Sequence, residues 1–305
     1  MNKVVVMTDT SSAISQEIAK NHGIAVIPWH VIMDGKDCLD TRVDMARLYA
    51  QLKGKGNLPT TSGYTTEECS QHFHRLGKDG NDILYIAMTS AMSTMAYAAA
   101  MQAKKIAQEN LPQISIEVID SRTVGPAQLL LVIAAAKAAR QGKSLKEITK
   151  SVNNLLQGIS ELEAADTLFY LDKGGRIFKA KSWAEAQTVY NFRTIVEIDA
   201  ISGGAASPLA RAKTKRQIME KVVDIVKERV GGDKLVAAIV HTNVPDQAKQ
   251  LREMVLSEFQ CDELYICEAL AVTAIHNGEG LIELGFYRNE EQSIRWLERN
   301  TEADD

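Results

Sequence analysis

The sequence predicts a two-domain α/β protein, with a wound N-terminal domain built on a largely parallel sheet and a second α/β domain after it. Short β-branched or apolar runs alternate with stretches of helical spacing from Val4 to about Ala139, the pattern of strand–helix–strand units. Beyond about residue 160 the regular alternation gives way to strands, glycine turns and a basic run, so the division is placed at residues 1–160 and 161–305. An apolar share of 45% over 305 residues can build the core this requires.

Val4–Met7 is a first strand closed by Thr8–Ser12, and Ile14, Ile18 and Ala19 continue it as a helix. The hydroxyls with Asp9 suit either capping of that helix or contact with a ligand. Ile24–Met33, interrupted by Pro28, reads as one buried strand or two short ones, and Asp34-Gly35 turns it into a hairpin arm at Lys36–Leu39. Met45, Leu48, Tyr49 and Leu52 recur at helical spacing before a polar loop at Gly54–Pro59. Thr65 or Thr66 followed by glutamates marks a helix start, which leaves Thr60–Ser62 as hydroxyls without a capping role.

Asp82–Ala100 is the central crossing. Ile83–Met88 is a strand, Ala96–Ala100 begins an Ala-rich helix, and the polar Thr89–Thr94 lies where one hands over to the other. The first turn of a helix leaves N–H groups unpaired and carries partial positive charge, so Ser93 suits a plain N-cap or an anion contact. Ile116–Ile119 is a further strand ended by Asp120-Ser121, and Leu129–Ala139 a further helix. In wound sheets ligands sit beyond the carboxyl ends of the strands, where Asp9, Ser93 and Asp120 all fall. Asp9 and Asp120 also fit as turn-formers that accept backbone N–H groups.

Leu145–Leu156 is helical by spacing, and Gln157–Ala164 reads as a connecting stretch. Thr167–Leu171 is followed by Lys173-Gly174-Gly175-Arg176-Ile177, where paired glycines allow a tight backbone path. Arg176 suits a ligand contact or an ion pair with Asp172 or Asp199. Thr194–Ile198 is a strand, Gly203-Gly204 a turn, Arg211–Arg216 a solvated basic start to the helix Gln217–Val230, and Leu235–Val240 another strand. Pro245-Asp246 opens a helix, and Tyr265–Cys267 is a short strand. Ala269–Ile275 leads to a glycine-flanked loop at His276–Gly280, then to the apolar run Leu281–Phe286 and a helix at Glu290–Arg299.

The formal charge of −4 with scattered cations argues against a nucleic-acid partner. No stretch is apolar and long enough for a membrane span, and the opening MNKVVVMTDT lacks the h-region of a signal peptide, so a cytoplasmic protein is expected. Cys38, Cys69, Cys261 and Cys267 have no metal-ligand spacing and read as reduced structural thiols. His30, His72 and His74 read as structural or surface residues. No P-loop or dinucleotide fingerprint surrounds the paired glycines, and no G-x-S-x-G elbow surrounds Ser93. What remains is a set of hydroxyls at two junctions, Thr61 with Ser62 and Ser93, together with His276 and Arg176. Such a set suits one carboxylate, whose acceptor positions hydroxyls and backbone N–H groups can fill. A transferase or hydrolase using Ser93 and His276 on a polar acid or phosphorylated ligand stands as the alternative.

These residues carry a resemblance. VVVMTDTSS resembles the first strand and turn of the DegV family of bacterial fatty-acid-binding proteins, and IPWHVIMDGKDCLD resembles its V-P-L-x-V…DG…D segment. Pro59–Ser62 resembles the start of P-x-T-S-Q-P, Thr89–Ser93 resembles S-S-x-L-S-G-T, and Val118–Ser121 matches V-I-D-S. Leu171 with Lys173–Ile177 resembles L-x-K-G-G-R-I, and His276–Gly280 the closing H-x-G-P-G. The resemblance implies a two-domain fold with an apolar tunnel between the domains. It also implies a long-chain fatty acid as bound ligand, no cofactor and no catalysis by this chain, and a separate fatty acid kinase as partner. The carboxylate-binding positions then fall on Thr61 and Ser93, with Ser62 and His276 beside them and Arg176 facing the head group or the kinase. Gly63-Tyr64, Thr94-Met95 and Glu279 depart from the family motifs, and the resemblance puts them where they would crowd, close over or repel the head group.

Overall fold

Strand and helix alternate through the first half of the computed structural model, which describes residues 2–54, 56–231 and 234–289. β1 (Val4–Asp9) passes through a 3-10 turn to α1 (Gln16–His22), β2 (Ala25–Ile27) and the hairpin β3 (His30–Met33) and β4 (Lys36–Leu39). α2 (Met45–Gly54), β5 (Thr60–Ser62), α3 (Thr66–Gly77), β6 (Asp82–Ala87), α4 (Thr94–Asn110) and β7 (Ile116–Asp120) follow. Next come α5 (Gly125–Arg140), α6 (Leu145–Leu155), β8 (Ser160–Ala165), α7 (Phe169–Lys173), α8 (Lys181–Tyr190), β9 (Arg193–Glu197) and β10 (Ser207–Ala212). α9 (Lys215–Val230), β11 (Leu235–His241), α10 (Pro245–Glu258), β12 (Cys261–Glu268), α11 (Ala271–Asn277) and β13 (Ile282–Arg288) complete the order. The helix predicted at Glu290–Arg299 lies outside the described residues.

The first sheet runs β2-β1-β6-β7 with every pairing parallel, so Asp9, the chain after β6 and Asp120 emerge at one edge. The second sheet runs β10-β9-β8-β13-β11-β12 and is antiparallel except between β11 and β12. A small antiparallel sheet, β4-β3-β5, sits beside them. Capping boxes at Thr65 with Glu68, Ser144 with Glu147 and Thr214 with Gln217 fix where α3, α6 and α9 begin.

Helix α5 joins the two large sheets. Its sequence, GPAQLLLVIAAAKAAR, is apolar almost all round, which a helix can afford only when it is buried on every side. It packs on β1 and β6 on one side and on β8, β11 and β13 on the other. Val4, Val6, Leu84 and Ile86 of the first sheet share one core with Val236, Ala238 and Val240 of the second, through Leu129–Ile133. A Cβ on Gly285 would stand 2.4 Å from the Ala127 nitrogen, so only glycine lets the start of α5 lie directly on β13. The helix has no side-chain cap of its own; instead the Glu161 carboxyl accepts the Ala127 N–H at 2.7 Å.

Several elements differ from the sequence reading. Gln157–Ala164, read as a connector, carries all but the last residue of β8, a strand buried at every residue, because Glu161 and Glu163 are hidden under α5 rather than solvated. Thr60–Ser62 is a strand paired with β3, not a loop. His276 occupies the last turn of α11, where Gly278 ends the helix, and so is not a loop residue. The basic run Arg211–Arg216 spans the end of β10 and the start of α9, with Arg211, Lys213 and Arg216 exposed as expected of a solvated helix start, but two of its cations have partners. Arg211 sits on β10 with its guanidinium over Trp183 and Phe192, 5.8 and 5.5 Å from the ring centres, and Lys215 pairs with Asp166 at 2.7 Å.

Candidate ligand-binding site

Two carboxylates at the parallel sheet edge shape the chain that carries Ser93. Asp9, fully buried, accepts from the N–H of Ser11 at 3.0 Å, Trp29 Nε1 at 3.1 Å, the Tyr85 hydroxyl at 3.1 Å and the N–H of Met88 at 3.2 Å. Burial pushes its pKa up and these donors pull against it. Asp120 accepts the N–H of Ser90 at 3.1 Å, that of Arg122 at 3.0 Å and the Ser90 hydroxyl at 2.5 Å. The segment after β6 is thereby held from both neighbouring strands. It delivers Ser93 to the N-cap position of α4 with φ −145° and ψ 75°, where its side chain makes no capping bond. Ser93 is therefore a cap by position only, and it lines a cavity.

Thr61, on β5, meets His276 across the fold, with Oγ1 2.8 Å from Nε2. Ser62, the next residue on the strand, is exposed and donates to the Gly63 carbonyl at 3.3 Å, so it does not join this group. Burial first, and then the Arg176 charge, lower the His276 pKa to about 3, so the ring is neutral. A Cβ on Gly174 would lie 2.6 Å from its Nδ1, which makes this glycine the floor under the ring. Arg176 donates to the Gly174 carbonyl and pairs with neither Asp172 nor Asp199; Asp199 faces Arg229 at 3.5 Å instead. Burial lowers the Arg176 pKa.

Two cavities, both open to solvent, share walls at these side chains. One contains Ser93 and runs among Trp29, Met88, Val124, Leu171 and Val272. The other contains Thr61 with Leu58, Tyr170 and Ile275. Arg176 and His276 belong to both walls. Thr61 and Ser93 thus line adjoining cavities joined through Arg176 and His276, and Ser62 lines neither.

The departures from the family motifs lie elsewhere. Tyr64 is a core residue whose hydroxyl meets that of Tyr85 at 2.5 Å, and it does not close over the cavities. Thr94 donates to the Ser90 carbonyl at 3.1 Å, and Met95 is 82% exposed. Glu279 pairs with Lys53 at 2.7 Å and accepts from Asn243 at 2.6 Å, and it lines neither cavity.

Two site residues escaped the sequence reading. Glu163 and Glu283 face each other as cross-strand neighbours on β8 and β13, and both line the Ser93 cavity. Burial raises the Glu163 pKa to about 7; burial, with the carboxyls of Glu163 and Glu161 beside it, holds Glu283 well above the ordinary range. The available signal was the alternation in SELEAA and IELGF, where single glutamates occupy strand positions between apolar ones. Among the described residues no His, Cys, Asp or Glu grouping suits a metal ion, and no helix is long and apolar enough to cross a membrane.

The family model described as Uncharacterised protein, DegV family, matches residues 3–289. A DegV domain-containing protein of Clostridium perfringens is 30% identical over 286 residues, covering 93% of this chain and 99% of its own. Among solved structures, the chain is similar to a fatty-acid-binding DegV family protein from Thermus thermophilus, with TM-score 0.85 and 20% identity over 94% of this chain and 99% of that one. It is equally similar to a stearic-acid-binding protein from Eubacterium ventriosum, with TM-score 0.85 and 20% identity over 96% and 100%. The fold, the ordered motifs and these matches agree: the chain belongs to the DegV family.

Proposed function

We propose that the protein is a cytoplasmic carrier that binds one long-chain fatty acid and presents its carboxylate to a fatty acid kinase, without catalysis of its own. The observation that carries this reading is the convergence of Thr61, Ser93, His276 and Arg176 where two partly apolar cavities meet. The hydroxyls and the cation fix the head group, and apolar burial, at about 0.8 kcal/mol per CH₂, supplies the affinity before ordering costs. Relatives of the same fold that hold stearic or heptadecanoic acid support it. Hydrolase chemistry on Ser93 gains no support, because His276 spends Nε2 on Thr61 rather than on Ser93.

Mass spectrometry of denatured purified protein should release a fatty acid, and added oleate or palmitate should raise the melting temperature. If no acid is released and neither ligand shifts the melting temperature, the reading fails. Phosphorylation of the bound acid by an added fatty acid kinase tests the presentation step separately.

A further inference from the structure

The Ser93 cavity is not lined as a plain hydrocarbon tunnel would be. Glu163 is 2% exposed and Glu283 1% exposed, yet both contribute to its wall. Glu163 and Glu283 hydrogen-bond each other side chain to side chain, and apart from that bond Glu163 Oε2 and both Glu283 carboxyl oxygens have no partner among the described residues. Asn277 Oδ1, on the same wall and 6% exposed as a residue, has none either. Leaving buried polar atoms unpaired is costly, and a saturated acyl chain would offer nothing to the remaining carboxyl oxygen or to Asn277 Oδ1. The third carboxyl of the group, Glu161, differs in that one of its oxygens caps α5 at Ala127. No grouping of ligands for a metal ion is present here among the described residues, so a cation is not the partner that the geometry suits.

We propose that Glu163 and Glu283, with Asn277, form a polar subsite that selects an acyl chain bearing a hydroxyl group. A hydroxyl is both donor and acceptor. It can donate to an ionised carboxylate and accept from a protonated one, which matches two carboxyls too close for both to ionise. A hydrocarbon chain can do neither. A site built to bond a hydroxyl discriminates against the ligand lacking it far more strongly than an apolar wall discriminates by shape. This deepens the fatty-acid reading and rests on it.

The test is calorimetric titration of delipidated protein with stearate and with 2-, 3-, 10- and 12-hydroxystearate. At least one hydroxy acid should bind about tenfold or more tightly than stearate. In Glu163→Gln/Glu283→Gln that preference, read as the ratio of the two affinities, should shrink at least severalfold. Stearate binding as tightly as every hydroxy acid to the wild-type protein overturns the subsite and leaves the fatty-acid reading standing. No binding of any of the five acids overturns both. A preference that persists unchanged in the double variant removes the two glutamates from it, and the wild-type comparison decides the selectivity even if that variant does not fold.

Discussion

Thr61 and His276 are 215 residues apart in the chain and 2.8 Å apart in space, Oγ1 to Nε2. That bond ties the small β4-β3-β5 sheet to the last turn of α11 at the place where the two cavities meet. Thr61→Val keeps the shape and deletes the hydroxyl, leaving a ring nitrogen enclosed and unpaired. Stability in urea should fall by about 1–2 kcal/mol and fatty-acid affinity should fall with it. An unchanged unfolding midpoint would show that the pair contributes nothing.

The same histidine predicts a pH dependence. Its pKa is lowered from 6.5 to about 3 in the fold, so between these values the unfolded chain binds a proton that the native protein refuses. The stability it contributes is fully present above about pH 6.5 and is lost as the pH falls toward 3. An NMR titration should show the His276 ring still neutral at pH 5. A midpoint near 6.5 would mean that the ring is solvated.

Glu163 carries the opposite sign. An unfolded glutamate releases its proton near 4.5, whereas burial keeps this one protonated to about 7, so stability is lost as pH rises through that window. Glu163→Gln should therefore stabilise the ligand-free protein at pH 8 by on the order of 3 kcal/mol and change little at pH 4. Thermal denaturation of both proteins across that range reads the effect; equal gains at both pH values would refute it.

Gly174→Ala sets a methyl group 2.6 Å from the resting position of His276 Nδ1. The ring must shift, and the Thr61 contact with it. Fatty-acid affinity should drop severalfold, with the wild-type value retained in a control Gly158→Ala, where a Cβ meets nothing within 4 Å. Loss in both variants would point to a general weakening of the fold.

The parallel half of the fold was legible because each of its strands is a short apolar run followed by a polar turn, as at Val4–Asp9 and Ile116–Asp120. Thr61, Ser93, His276 and Arg176 were legible as hydroxyls, an imidazole and a guanidinium beside glycines or helix starts, and the motif order grouped them as candidates. β8 was not. Its SELEAA looks solvated until Glu161 is seen capping α5, a contact made across 34 residues. Ser62 and Tyr64 show the reverse limit: a motif places a residue near a site, but strand alternation and core packing decide which way its side chain points.

Helix α5 leaves no face over. Parting the two large sheets like a clamshell would bare Leu129–Ile133 to water on one side, at about 25 cal/mol for each Å² of apolar surface exposed. A rigid parting of the two sheets is thereby disfavoured as a way of opening the cavities. Amide hydrogens of α5 should then exchange at the slowest rates in the protein, with or without fatty acid added.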